Sequence, residues 1–170
     1  MERIIFETKM VAGDEGVIEG TAWDFGTPDR IGDMIEPGGM KSVFPLPLLF
    51  GHDTNDPLGT IDAASEKGGK LHFKARLLIA DVPRAAQVWA LSKAGAVRGF
   101  SMGFNILKSV ERKVEGRVVG RLIKQWEWLE GSLVSIPMHP GARVTSAKSA
   151  VDAIAIAAAI NRAAAQMKGT

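Results

Sequence analysis

Leu71, Phe73, Ala75 and Leu77 alternate strictly with His72, Lys74 and Arg76. Only an extended chain puts every second side chain on one face, so this stretch reads as a half-buried strand. Turn-forming clusters at Gly13-Asp14-Glu15-Gly16, Thr27-Pro28-Asp29-Arg30 and Glu66-Lys67-Gly68-Gly69 divide the first half of the chain into short runs. Strands are expected over residues 3–9 and 16–25, and a hairpin pair over 57–64 and 70–79. Pro45 and Pro47 bias the residues before them away from helix, so Leu48-Leu49-Phe50 reads as a short buried strand. Further strands are expected at 97–108, from 117 to 130 and over 132–136, with a charged turn across 109–116. One interior helix is predicted from Val82 to Ala94, with Asp81 as cap, Pro83 in its first turn and Gly95 as its stop. The pattern is mostly β with flanking helices, an α+β class. It suits a partly closed antiparallel barrel better than a βαβ repeat.

A chain of 170 residues is long enough for one domain with a real core and short for two. The barrel is expected to occupy 1–145. An alanine-rich helix over 146–170, with Ser149-Ala150-Val151-Asp152 in capping-box form, packs on the barrel or on a partner copy. Cysteine is absent, which excludes disulfides and thiolate metal sites. The formal charge is only +2 and the basic residues are scattered, so nucleic acid is not an expected partner. No apolar run approaches the ~18 residues of a membrane span, and Met-Glu-Arg-Ile-Ile-Phe lacks signal-peptide form. A soluble, intracellular protein with no membrane partner is the expectation.

Three segments carry the chemistry: Phe50-Gly51-His52-Asp53, Gly99-Phe100-Ser101-Met102-Gly103-Phe104 and Leu129-Glu130-Gly131-Ser132-Leu133-Val134. A hydroxyl becomes a nucleophile when a base takes its proton and a third group orients that base. Within a strand, Ser101 and Gly103 share one face while Phe100, Met102 and Phe104 share the other. The small face is open to a peptide, and backbone N–H groups near Met102 and Gly103 are candidate oxyanion donors. The alternative is a small residue on a solvated strand face. His52 follows a buried strand end and carries the side-chain type best suited to take and return a proton as a general base, or it is a loop histidine bonded to Asp53 or a carbonyl. Glu130, expected on one face with Trp128 and Ser132, is the candidate orienter, with Asp53, His72 and His139 as alternatives. Arg98 either steers a substrate oxygen or is an ordinary surface charge. Trp126 and Trp128 read as core. His72 is expected on a solvated face and His139 in a turn. No metal or organic cofactor is expected, because no histidine has a second ligand at a suitable interval.

These segments resemble the prohead maturation proteases of tailed bacteriophages. The likeness includes Gly20-Thr21-Ala22, Asp33-Met34-Ile35-Glu36-Pro37-Gly38-Gly39-Met40, Leu48-Leu49-Phe50-Gly51-His52-Asp53 with Pro57-Leu58-Gly59, and Ser101-Met102-Gly103-Phe104. It ends at Glu130-Gly131-Ser132-Leu133-Val134-Ser135-Ile136-Pro137. The resemblance implies a barrel related to herpesvirus assembly proteases and a serine endopeptidase of Ser101, His52 and Glu130. Its implied partners are the major capsid protein precursor, the scaffold protein and further copies of itself in a homo-oligomer such as a dimer. The implied place of action is the assembling prohead in the host cytoplasm. Two rivals stand beside it: a non-catalytic capsid assembly or scaffolding protein that keeps the fold, and an unrelated esterase using the same residues.

Overall fold

The structure, a computed structural model, describes residues 16–146. Eight strands and one helix follow in order: β1 Val17–Asp24, β2 Met34–Ile35, β3 Leu46–Phe50, β4 Asp53–Lys67, β5 Lys70–Leu77, α1 Pro83–Lys93, β6 Gly99–Val114, β7 Arg117–Val134 and β8 Arg143–Ser146. Seven of them close into a ring. β7 pairs with β3 in parallel, and β3, β4, β5, β1, β8 and β6 then follow in antiparallel pairs until β6 returns to β7. The barrel is thus closed rather than partly closed, and its seam is the Gly99–Arg143 pairing of β6 with β8. Closure removes the sheet edge that an open barrel would leave exposed.

The alternation in β5 holds, with Leu71, Phe73, Ala75 and Leu77 buried. Phe73 stacks on Phe100 from β6 at 3.8 Å between ring centroids, and Trp128 meets Phe100 edge to face. Trp126 and Trp128 are fully enclosed, as their sequence setting predicts. Inward-facing aromatic rings from opposite walls therefore fill the barrel, the arrangement that small barrels require.

Three further sequence expectations change. The charged stretch 109–116 is not a turn: β6 continues to Val114, and only Glu115-Gly116, with φ of 49° and 78°, forms the reversal. Two residues in the left-handed region make the hairpin turn whose twist matches its strands. The outer part of this hairpin is exposed, so charged residues are tolerated there on either face. Residues 117–134 form one strand, β7, rather than two. The helix starts at Pro83 with Val82 as its cap residue and no side-chain cap bond, so Asp81 does not cap it. The backbone N–H of Asp81 instead bonds Leu78 O in the preceding turn, and Gly95, at φ 79°, ends the helix as expected. The expected strand 3–9 and the helix headed by Ser149 lie outside the described residues, and β8 occupies the last of the latter.

The segment from Asp33 to Met40 straps across β7. Met34 and Ile35 pair in parallel with Leu122 and Ile123, and Met40 bridges Trp126. Asp33 anchors it: the buried carboxylate accepts the Arg121 backbone N–H at 2.8 Å and the Arg121 Nε at 3.0 Å. That hydrogen bond is the main reason the Arg121 guanidinium is held above its ordinary value.

Candidate active site

Phe50 pairs with Asp53 across the β3–β4 hairpin, which leaves Gly51 and His52 as its two turn residues. Both lie in the left-handed region, at φ 61° and 63°. Glycine adopts that conformation freely, whereas a side chain there costs about 1–2 kcal/mol. Two bonds to β7 hold the turn: Gly51 N–H donates to Leu133 O at 3.1 Å, and His52 N–H donates to Ser132 Oγ at 2.9 Å. Strain kept at one histidine by surrounding bonds is characteristic of functional positions.

The imidazole of His52 is 44% exposed and its Nδ1 lies 2.7 Å from Glu130 Oε1. The carboxylate accepts, so Nδ1 carries the proton and Nε2 is the basic nitrogen. Nε2 makes no hydrogen bond among the described residues. The second oxygen of Glu130 accepts the Ser132 hydroxyl at 2.8 Å. Ser132 is fully buried and so joins the backbone of His52 to the partner of its ring.

Glu130 reaches this position through a bulge. Gly103 pairs with Glu130 but Phe104 pairs with Trp128, so Leu129 is the extra residue on β7. An extra residue reverses the alternation. Trp128 therefore faces the core while Glu130 and Ser132 face outward, against the expectation that all three share a face. The Trp128 indole N–H still reaches the Glu130 carbonyl, at 2.6 Å. Gly131, between the two outward residues, points inward, where a Cβ would meet Phe100 and Ile61.

Ser101 is the direct cross-strand partner of Ser132, and Gly103 is the partner of Glu130. Paired residues place their side chains on the same face, so Ser101 shares the outer face with Glu130 and Ser132. A Cβ on Gly103 would lie 2.2 Å from Glu130 Oε1, so the missing side chain is what gives the carboxylate its room. Ser101 is 5% exposed, and its hydroxyl has no hydrogen bond among the described residues. The site therefore assembles from β6, β7 and the β3–β4 turn. It brings His52 and Glu130 into contact and sets Ser101 beside Ser132.

A model of the caudovirus prohead serine proteases matches residues 5–156. The chain belongs to that family. It is 33% identical over 148 residues to a capsid polyprotein of Pseudomonas phage PAJU2, covering 84% of this chain and 22% of the relative. It is 31% identical over 102 residues to a prohead protease of Enterobacteria phage HK97, covering 56% of this chain and 45% of the relative. This family member thus spans less than half the length of either curated relative.

The other sequence candidates fall elsewhere. Asp53 is exposed and accepts Asn55 N–H at 2.8 Å, and His72 Nε2 lies 3.3 Å from Lys67 O. His139 is more than a turn residue. It is buried against Trp23, accepts Gly141 N–H at Nδ1 at 3.0 Å and lies 3.1 Å from Thr27 O through Nε2. Those two backbone partners fix a neutral tautomer with the proton on Nε2. Arg98 is exposed and its guanidinium has no hydrogen bond or ion pair among the described residues. Met102 is half-buried beside Ser101 and lines a cavity of ≈ 210 Å³ with Trp23, Phe104, Met138, His139 and Ser101. Sequence reasoning passed over Ser132 as a site residue. The available signal was its spacing of two from Glu130, which places both on one face of a strand.

Proposed function

We infer that the chain is a serine endopeptidase in which Ser101 is the nucleophile, His52 the general base and Glu130 the residue that orients it. The hydrogen bond from His52 Nδ1 to Glu130 carries this reading, because it leaves a basic Nε2 at a centre whose outer face Ser101 shares. Ser101 Oγ attacks the scissile carbonyl as its proton passes to His52 Nε2. The C–N bond then breaks, and the imidazolium returns the proton to the departing amine. Water, deprotonated by the same imidazole, hydrolyses the acyl-enzyme and frees Ser101. Backbone N–H groups near Met102 and Gly103, with Arg98, take the oxyanion. The cavity beside Ser101 and Met102 receives a substrate side chain, and its largely apolar lining favours an apolar one.

By family membership, the substrates are scaffold and coat-protein precursors and the enzyme itself, cut inside the assembling prohead. The capsid polyprotein relative supports that assignment, since a like segment lies within a protein named for the capsid. The fold is of the herpesvirus assembly protease type in this reading, and no cofactor takes part.

Ser101→Ala should fold as the parent does and abolish both precursor trimming and labelling by a fluorophosphonate probe. Trimming at the parental rate by that variant would refute the assignment. A second reading, a non-catalytic assembly protein, is favoured by the near-complete burial of Ser101. It requires a parent chain that is silent to the probe while still binding the capsid precursor.

A further inference from the structure

We propose that Ser132 is a positioning residue of this centre, acting on both the imidazole's partner and the backbone that carries the imidazole. The proposal rests on the assignment of Ser101, His52 and Glu130 above. Its ground is a closed ring of three hydrogen bonds. His52 N–H donates to Ser132 Oγ at 2.9 Å, Ser132 Oγ–H donates to Glu130 Oε2 at 2.8 Å, and Glu130 Oε1 accepts His52 Nδ1–H at 2.7 Å. A hydroxyl has one proton to give, and here Glu130 takes it. That leaves a lone pair for the backbone N–H of a residue in a strained conformation.

The geometry separates the two serines of the pair. Ser132 is fully buried and its hydroxyl is engaged as both donor and acceptor. Ser101 retains slight exposure, lines the cavity and has an unengaged hydroxyl among the described residues. A proton held by a carboxylate that is itself holding the imidazole is not one the imidazole can collect. Ser132 therefore sets the geometry of the base, and Ser101 remains the group that attacks. Without the Ser132 hydroxyl, Glu130 loses the donor that fixes its second oxygen. Of the two backbone N–H bonds that the Gly51-His52 turn makes to β7 among the described residues, the one from Gly51 to Leu133 then remains and the one from His52 is lost. A displacement of about 1 Å at such a centre costs on the order of 100-fold in rate.

The test uses the full chain and a fluorophosphonate probe, with Ser132→Ala, Ser132→Thr and Ser101→Ala compared with the parent below the melting temperature of all four. For Ser132→Ala the limiting labelling rate should fall about 10- to 100-fold while the half-saturating probe concentration stays within about twofold. The label should still map to Ser101. The low-field proton resonance of His52 Nδ1–H should be lost or broadened. Ser132→Thr, which keeps the hydroxyl, should recover both rate and resonance in whatever fraction folds. A Ser132→Ala protein that labels at the parental rate with the resonance intact overturns the positioning role and leaves the proposed function standing. Labelling that survives in Ser101→Ala but disappears in Ser132→Ala overturns both, because the nucleophile would then be Ser132.

Discussion

Gly103 illustrates how much one absent side chain can decide. Its strand position suggested a gap for an approaching peptide. The glycine has a second use, since a Cβ there would overlap Glu130 Oε1 at 2.2 Å. The overlapping atom ends a flexible side chain, so the backbone need not move and the carboxylate would swing away. Gly103→Ala should therefore melt within a few degrees of the parent yet lose most of its probe labelling. It should also lose the low-field imidazole resonance. A variant that labels normally would show that Glu130 has room elsewhere from which to hold His52. His52 was legible as a candidate base from its residue type and its place after an apolar strand end, although those features alone favoured a loop histidine and the family resemblance singled it out. Its left-handed backbone was not legible, because the bonds that hold the Gly51-His52 turn come from Leu133 and Ser132, far along the chain.

Among the elements, β7 does the most to organise the site. It pairs with β6 along its length, with β3 near its end and with the short β2 near its middle. The strap from Asp33 to Met40 lies across it, held by the buried Asp33 carboxylate and Arg121. Asp33→Asn keeps the shape but removes the charge that grips the guanidinium. We expect a loss of about 2 kcal/mol, the usual worth of a hydrogen bond to a charged group, read as a lower midpoint in a urea melt. An unchanged midpoint would mean that the strap is held by its backbone pairings alone. The period-two pattern of β5 was readable because one face is buried and the other is wet. The continuity of β7 was not. Glu130-Gly131-Ser132 looks like a break, whereas the glycine is an inward position filled by Phe100 and Ile61.

At the level of the whole molecule, one aromatic core both closes the barrel and supports the site. Phe100 stacks on Phe73, meets Trp128 edge to face and immediately precedes Ser101. Phe100→Ala should cost about 3–5 kcal/mol, measured by denaturant unfolding, through lost contacts and the cavity left behind. Because the same residue seats β6, the folded fraction should also label more slowly. Loss of stability with labelling of the folded fraction unchanged would separate core from site.

Alternation, turn residues and apolar runs are local properties, and they determined that this chain is mostly β and which faces are buried; it was the resemblance of three segments to the prohead proteases that singled out His52 and Glu130. Tertiary structure alone decided that the ring closes, that a bulge at Leu129 turns Glu130 away from Trp128, and that Ser132 joins the two halves of the centre. The physical reason is distance along the chain. The bonds from His52 to Ser132 and to Glu130 span 80 and 78 residues, and each depends on strand register, which no local preference encodes.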